Sequence, residues 1–115
     1  MLRVTTPSPG WTFLSNHGHV LVSLALDPDV RMRDVAALVG ITERAVQMIV
    51  RDLEDAGFVV RQRVGRRNRY TVVTRGHFRH PLEDHVRVGD FLALVTGDRT
   101  PAQPVSGGRA STGRA

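Results

Sequence analysis

In the stretch SNHGHVLVSLALDPD, residues 15–29, apolar residues recur every three or four positions, with His17, Val20, Leu21 and Leu24 on one line. That period puts them on one face of a helix. A Ser15–Asn16 pair supplies the cap, and Asp27-Pro28 supplies the stop, since the residue before proline is pushed away from helical backbone. Val30-Arg31-Met32 reads as a brief strand. Behind Asp34 the helical period returns in Val35, Leu38 and Val39, and Gly40 closes it. Glycine takes the left-handed backbone that ends helices; another residue there loses about 1 kcal/mol. Thr42 is then an N-cap, with Glu43 in the first turn where the helix dipole favours a carboxylate. Val46, Ile49, Val50 and Leu53 form an i, i+3, i+4, i+7 stripe that stops at Gly57, and Glu43, Arg44, Gln47, Met48 and Arg51 lie opposite.

Beyond Gly57 the pattern changes. Phe58 to Val64 and Arg69 to Thr74 are rich in strand-forming residues and flank Gly65-Arg66-Arg67-Asn68, a turn composition, so they predict a hairpin. A final helix is expected over residues 80–96, with Pro81 in its first turn and Leu82, Val86, Leu92 and Val95 on one face, widened by Phe91 and Leu94. The order is helix, short strand, helix, helix, strand, strand, helix: an α+β chain, mainly α. Residues 1–10 read as a flexible leader, 11–97 as one domain and 98–115, rich in Gly, Ser, Pro and Arg, as a disordered tail.

Charge changes this picture. The 115 residues carry a net charge of +5, and every basic side chain is arginine. Residues 58–80 hold Arg61, Arg63, Arg66, Arg67, Arg69, Arg75 and Arg79 and no acidic residue. Residues 81–98 hold Glu83, Asp84, Asp90 and Asp98 against Arg87. The excess positive charge is thus concentrated in the hairpin and its exit, the distribution expected of a surface that meets polyanions. No cysteine is present, which excludes disulfides, thiolate metal sites and thiol nucleophiles. The start has no apolar signal segment, and the longest apolar run, residues 20–26, is too short to span a bilayer. A cytoplasmic protein without membrane contact is expected.

The two middle helices are separated only by Gly40-Ile41-Thr42, with Ala36 four residues before Gly40 and Val46 six after it. A small residue lets a second helix cross closely, the glycine makes the turn, and the aliphatic side chain plugs the angle; Val35, Val39, Ile41 and Ile49 fill the other inner positions. With the stretch ITERAVQMIVRDLEDAGFVVRQ and its closing Leu53 and Gly57, the chain from about Asn16 to Thr74 resembles the winged helix-turn-helix family of bacterial regulators, in particular the small MarR- and ArsR-like groups. The resemblance implies that residues 42–55 form a recognition helix in the DNA major groove. Its outward set, Glu43, Arg44, Gln47, Met48 and Arg51, would then face bases. Arg44 suits guanine O6 and N7, and Gln47 suits adenine. Glu43 serves either cytosine N4 or the dipole, and Met48 either meets a thymine methyl or packs under the hairpin. Residues 58–74 become the wing. Thr42, Arg61, Arg63, Arg66, Arg67, Asn68 and Arg69 would hold phosphates, with an arginine tip suited to the minor groove.

The last helix is mostly acidic and needs an apolar partner. Related regulators pair through terminal helices, so the resemblance implies a homodimer through Leu82, Val86, Gly89, Phe91, Leu92 and Val95, with Gly89 allowing close approach; packing of this helix on its own domain is the other reading. His77, His80 and His85 with Glu83 and Asp84 follow no compact metal-ligand spacing, so no metal or other cofactor is expected. No phosphate loop, nucleophile elbow or paired carboxylates point to an enzyme. The expectation is a dimeric, sequence-specific double-stranded-DNA-binding transcriptional regulator, its effector undefined. The alternative is a winged-helix module that binds protein instead of DNA.

Overall fold

In the computed structural model, which describes residues 10–97, helix α1 spans Asn16–Leu26. The Ser15 side chain accepts from the Gly18 N–H at its start, and Val20, Leu21 and Leu24 are buried along one line. Helix α2 spans Met32–Val39 and ends on Gly40, whose φ of 86° lies in the left-handed region; both the Gly40 and the Ile41 N–H bond to the Ala36 carbonyl. Helix α3 spans Glu43–Asp55, with the Thr42 hydroxyl accepting from the Ala45 N–H at 3.0 Å. Its stripe of Val46, Ile49, Val50 and Leu53 is buried as its spacing predicts.

Val20, Leu24, Val35 and Val46 are the largest fully buried side chains, so the centre of the core is where α1, α2 and α3 meet. Burying each contributes about 1.5–3 kcal/mol. Strands β1 (Val59–Val64) and β2 (Arg67–Val72) pair antiparallel, Val59 opposite Val72 and Val64 opposite Arg67. Val59 and Tyr70 turn inward and seal the core. Helix α4 (Val88–Thr96) packs on α1 and adds Val88 and Leu92 to that core.

Four expectations need correction. Val30–Met32 is not a strand. The Arg31 carbonyl accepts from the Asp34 and Val35 N–H groups, so this segment opens α2; the one backbone hydrogen bond from the hairpin to this region among the described residues runs from the Tyr70 N–H to the Pro28 carbonyl. The hairpin turn is two residues long, Gly65-Arg66, because Arg67 already pairs with Val64; a fully exposed strand end accommodates arginine as readily as a loop does. Leu38 is not on the inner face of α2 but 73% exposed, while Val39 and Ile41 are half-buried.

The final helix is half the expected length. Residues 80–86 form turns, with Glu83 N–H to His80 carbonyl and Val86 N–H to Glu83 carbonyl, and His77 bridges antiparallel to Arg87. Leu82 is therefore in a loop, 80% exposed, and the helical spacing of Leu82 and Val86 is coincidental. The leader and the tail fall outside the described residues apart from Gly10.

Candidate nucleic-acid interface

The outward side of α3 is open. Glu43, Arg44, Gln47, Met48 and Arg51 are all exposed. Arg44, Gln47 and Arg51 make no hydrogen bond or ion pair among the described residues, and they stand three to four positions apart on one line, as does Met48. Met48 is 63% exposed, so it does not pack under the hairpin. Thr42 is the helix cap, which occupies one lone pair of its hydroxyl.

The hairpin stands beside the start of this helix. Arg67, Asn68 and Tyr70 of β2 line one notch together with Glu43 of α3 and with Arg31 and Arg33 at the start of α2. Three side-chain contacts fix its attitude. On β2, the Arg67 guanidinium donates to the Asp29 carbonyl and Arg69 Nε lies 3.8 Å from Asp29 Oδ1. On β1, Arg61 Nε lies 3.3 Å from Glu54 Oε2 of α3. Arg63 Nε donates to the Gly65 carbonyl at 3.1 Å, bracing the turn. Arg66, at the apex, is exposed and makes no hydrogen bond or ion pair among the described residues.

Sequence reasoning weighed all wing arginines alike, whereas the structure divides them. Arg61, Arg63, Arg67 and Arg69 have partners within the chain, and Arg66 has none among the described residues. It also overlooked Arg31 and Arg33, both exposed on the same notch. Their signal was present in the sequence: two arginines around Met32 opening a helix, where a structural role favours acidic residues instead.

Several of the residues expected at a subunit interface pack within the chain itself. Leu92 is buried in the chain's own core and Phe91 is half-buried beside Phe78, ring centroids 5.2 Å apart. Gly89 sits in the first turn of α4 against the hairpin exit. Its N–H bonds to the Thr74 carbonyl at 2.9 Å, and a Cβ there would lie 3.1 Å from that oxygen. The close approach that requires glycine is thus within the chain. Val95 is half-buried, and the exposed apolar residue of α4 is Leu94.

The histidines make structural contacts. His17 Nε2 meets Asp52 Oδ2 at 2.8 Å, tying α1 to α3; His77 Nδ1–H donates to the Asp84 carbonyl; His80 Nδ1 accepts from the Leu82 N–H. Among the described residues no three His, Asp or Glu side chains converge as a metal site would require, and no helix is long and apolar enough to cross a membrane.

Three helices around one core, a glycine turn into an open helix and a basic two-stranded wing define a winged helix-turn-helix fold. Residues 15–60, from the cap of α1 to the second residue of β1, match the model of the winged helix-turn-helix DNA-binding family. No curated protein matches the chain.

Proposed function

We propose that the protein is a transcriptional regulator of the MarR- or ArsR-like kind that binds double-stranded DNA sequence-specifically, with α3 in the major groove. The observation that carries this reading is the shared notch. The start of α2 and the second wing strand present Arg31, Arg33 and Arg67 around one notch with Glu43, and the exposed side of α3 that begins at Glu43 carries Arg44 and Arg51. Arg44 and Gln47, without side-chain partners among the described residues, read base edges by paired hydrogen bonds. Arg66 enters the flanking minor groove or lies on phosphate, and Arg31 and Arg33 hold backbone phosphates beside the wing. The chain acts as a homodimer, with the exposed Leu94 and Leu38 and the half-buried Val95 as the apolar surface available for pairing.

The test is selection of duplexes from a random pool followed by titration of variants. Gln47→Ala should lose about 1–3 kcal/mol on the selected site and little on random duplex. Arg66→Ala should weaken both alike and lower the salt slope by about 0.9. A selected motif with two inverted half-sites supports the dimer. Equal losses for Gln47→Ala on every duplex would remove the base-reading role.

A further inference from the structure

All four phenylalanines of the chain, Phe13, Phe58, Phe78 and Phe91, line one groove of about 800 Å³ on α1, the C-terminal end of α3 and the edge of α4. Nothing in DNA recognition uses it. Leu21, Leu53 and Val88 form its buried floor. Phe58, Phe78 and Phe91 are half-buried, whereas Phe13 is 92% exposed at the mouth with Trp11 perpendicular to it, centroids 5.2 Å apart. Two large rings held in water beside an aromatic groove are unfavourable unless something covers them.

The charge around the groove is opposite to that of the protein. Asp52, Asp55 and Glu83 line it against one arginine, Arg79, while the chain as a whole carries +5. Asp55 has no hydrogen-bonding or ionic partner among the described residues. The groove also receives the C-terminal end of α3, the negative end of its dipole, and no basic residue stands in that last turn. Ring faces, carboxylates and a helix C-terminus all attract positive charge, and the apolar floor attracts hydrocarbon.

We propose that this groove binds a lipophilic cation, an aromatic or quaternary onium compound whose charge lies between Asp55 and the phenylalanine faces. Asp52 is hydrogen-bonded to His17 at 2.8 Å, whereas Asp55 is exposed and has no such partner among the described residues, so Asp55 is the principal counter-ion. Trp11 and Phe13 close over the bound molecule.

Tetraphenylphosphonium and tetraphenylborate, ions of one shape and opposite charge, test this on the full chain. Binding is read by the fluorescence of Trp11, the chain's sole tryptophan, and by calorimetry at pH 8, without DNA. The phosphonium should quench Trp11 saturably, and the borate should require at least about tenfold more ligand, as expected of a partly desolvated charge. Asp55→Asn combined with Glu83→Gln should weaken the phosphonium about tenfold while circular dichroism stays native. Phe13→Ala, at a side chain too exposed to affect folding, should weaken it several-fold. Equal affinity for the two ions, or no binding of either, overturns the proposal. So does dissociation of a dimer by Phe13→Ala without any ion binding, which would make a second copy's aromatic arm the occupant. Because no step involves DNA, failure here leaves the DNA-binding reading intact.

Discussion

Asp29 holds two wing arginines, and removing its charge should affect stability and DNA affinity in opposite directions. Its carbonyl accepts from Arg67 and its carboxylate lies 3.8 Å from Arg69 Nε, with both side chains about half exposed, 57% and 47%. Asp29→Asn leaves the carbonyl in place and removes only the ionic part. In water such a pair is worth about 1 kcal/mol by Coulomb's law, and side-chain entropy and salt reduce that to a few tenths. The thermal midpoint should therefore fall by about 2 °C. On DNA the same change frees Arg69 to neutralise a phosphate and removes a carboxylate beside the duplex. One more phosphate contact steepens the salt dependence by about 0.9 in log–log slope, an extra ~3.5-fold affinity lost between 50 and 200 mM salt. Affinity at low salt should rise several-fold on specific and random duplexes alike. Fluorescence anisotropy over a salt series measures both quantities. Weaker binding with an unchanged slope would refute the reasoning: Asp29 would then be needed to aim the wing, and Arg69 would not be a phosphate ligand in waiting.

Gly89→Ala gains about 1 kcal/mol of helix propensity but drives a methyl to 3.1 Å from the Thr74 carbonyl, so denaturant titration should show no gain and a loss of about 0–2 kcal/mol. Leu92→Ala should cost about 2–5 kcal/mol in the same titration, independent of protein concentration, because Leu92 fills the chain's own core. Leu94→Ser, at an exposed position of the same helix, should leave folding within about 0.5 kcal/mol and instead shift the dimer equilibrium in sedimentation. Gly40→Val forces a β-branched residue to φ 86° and should cost more than about 1 kcal/mol by calorimetry, since the turn into α3 admits no other backbone.

Local chemistry made the first three helices legible. Ser15, Thr42, Gly40 and Gly57 mark their ends, and each does so through a cap or a positive φ found in the structure. The outward line of α3 followed from the same periodicity. What the sequence left hidden depends on partners far along the chain. Val30–Met32 has strand-forming residues but no ladder to join, the Arg31 carbonyl being claimed by α2. The spacing of Leu82 and Val86 matches a helix, yet the His77–Arg87 bridge folds that stretch back on itself. No pattern of types distinguishes Arg66 from Arg67, since the difference lies in Asp29, 38 residues away from Arg67.

Strand β1 has β2 on one side and, among the described residues, no strand on the other. Its open edge carries bare amide and carbonyl groups with Val60 and Val64 about half exposed, the composition on which a foreign strand can be templated. Arg61 and Arg63 sit on that edge, and their mutual repulsion between molecules keeps copies of the hairpin from zipping together. Wing arginines replaced to weaken DNA contact will therefore also lower solubility, most of all in high salt, where the charges that remain are screened.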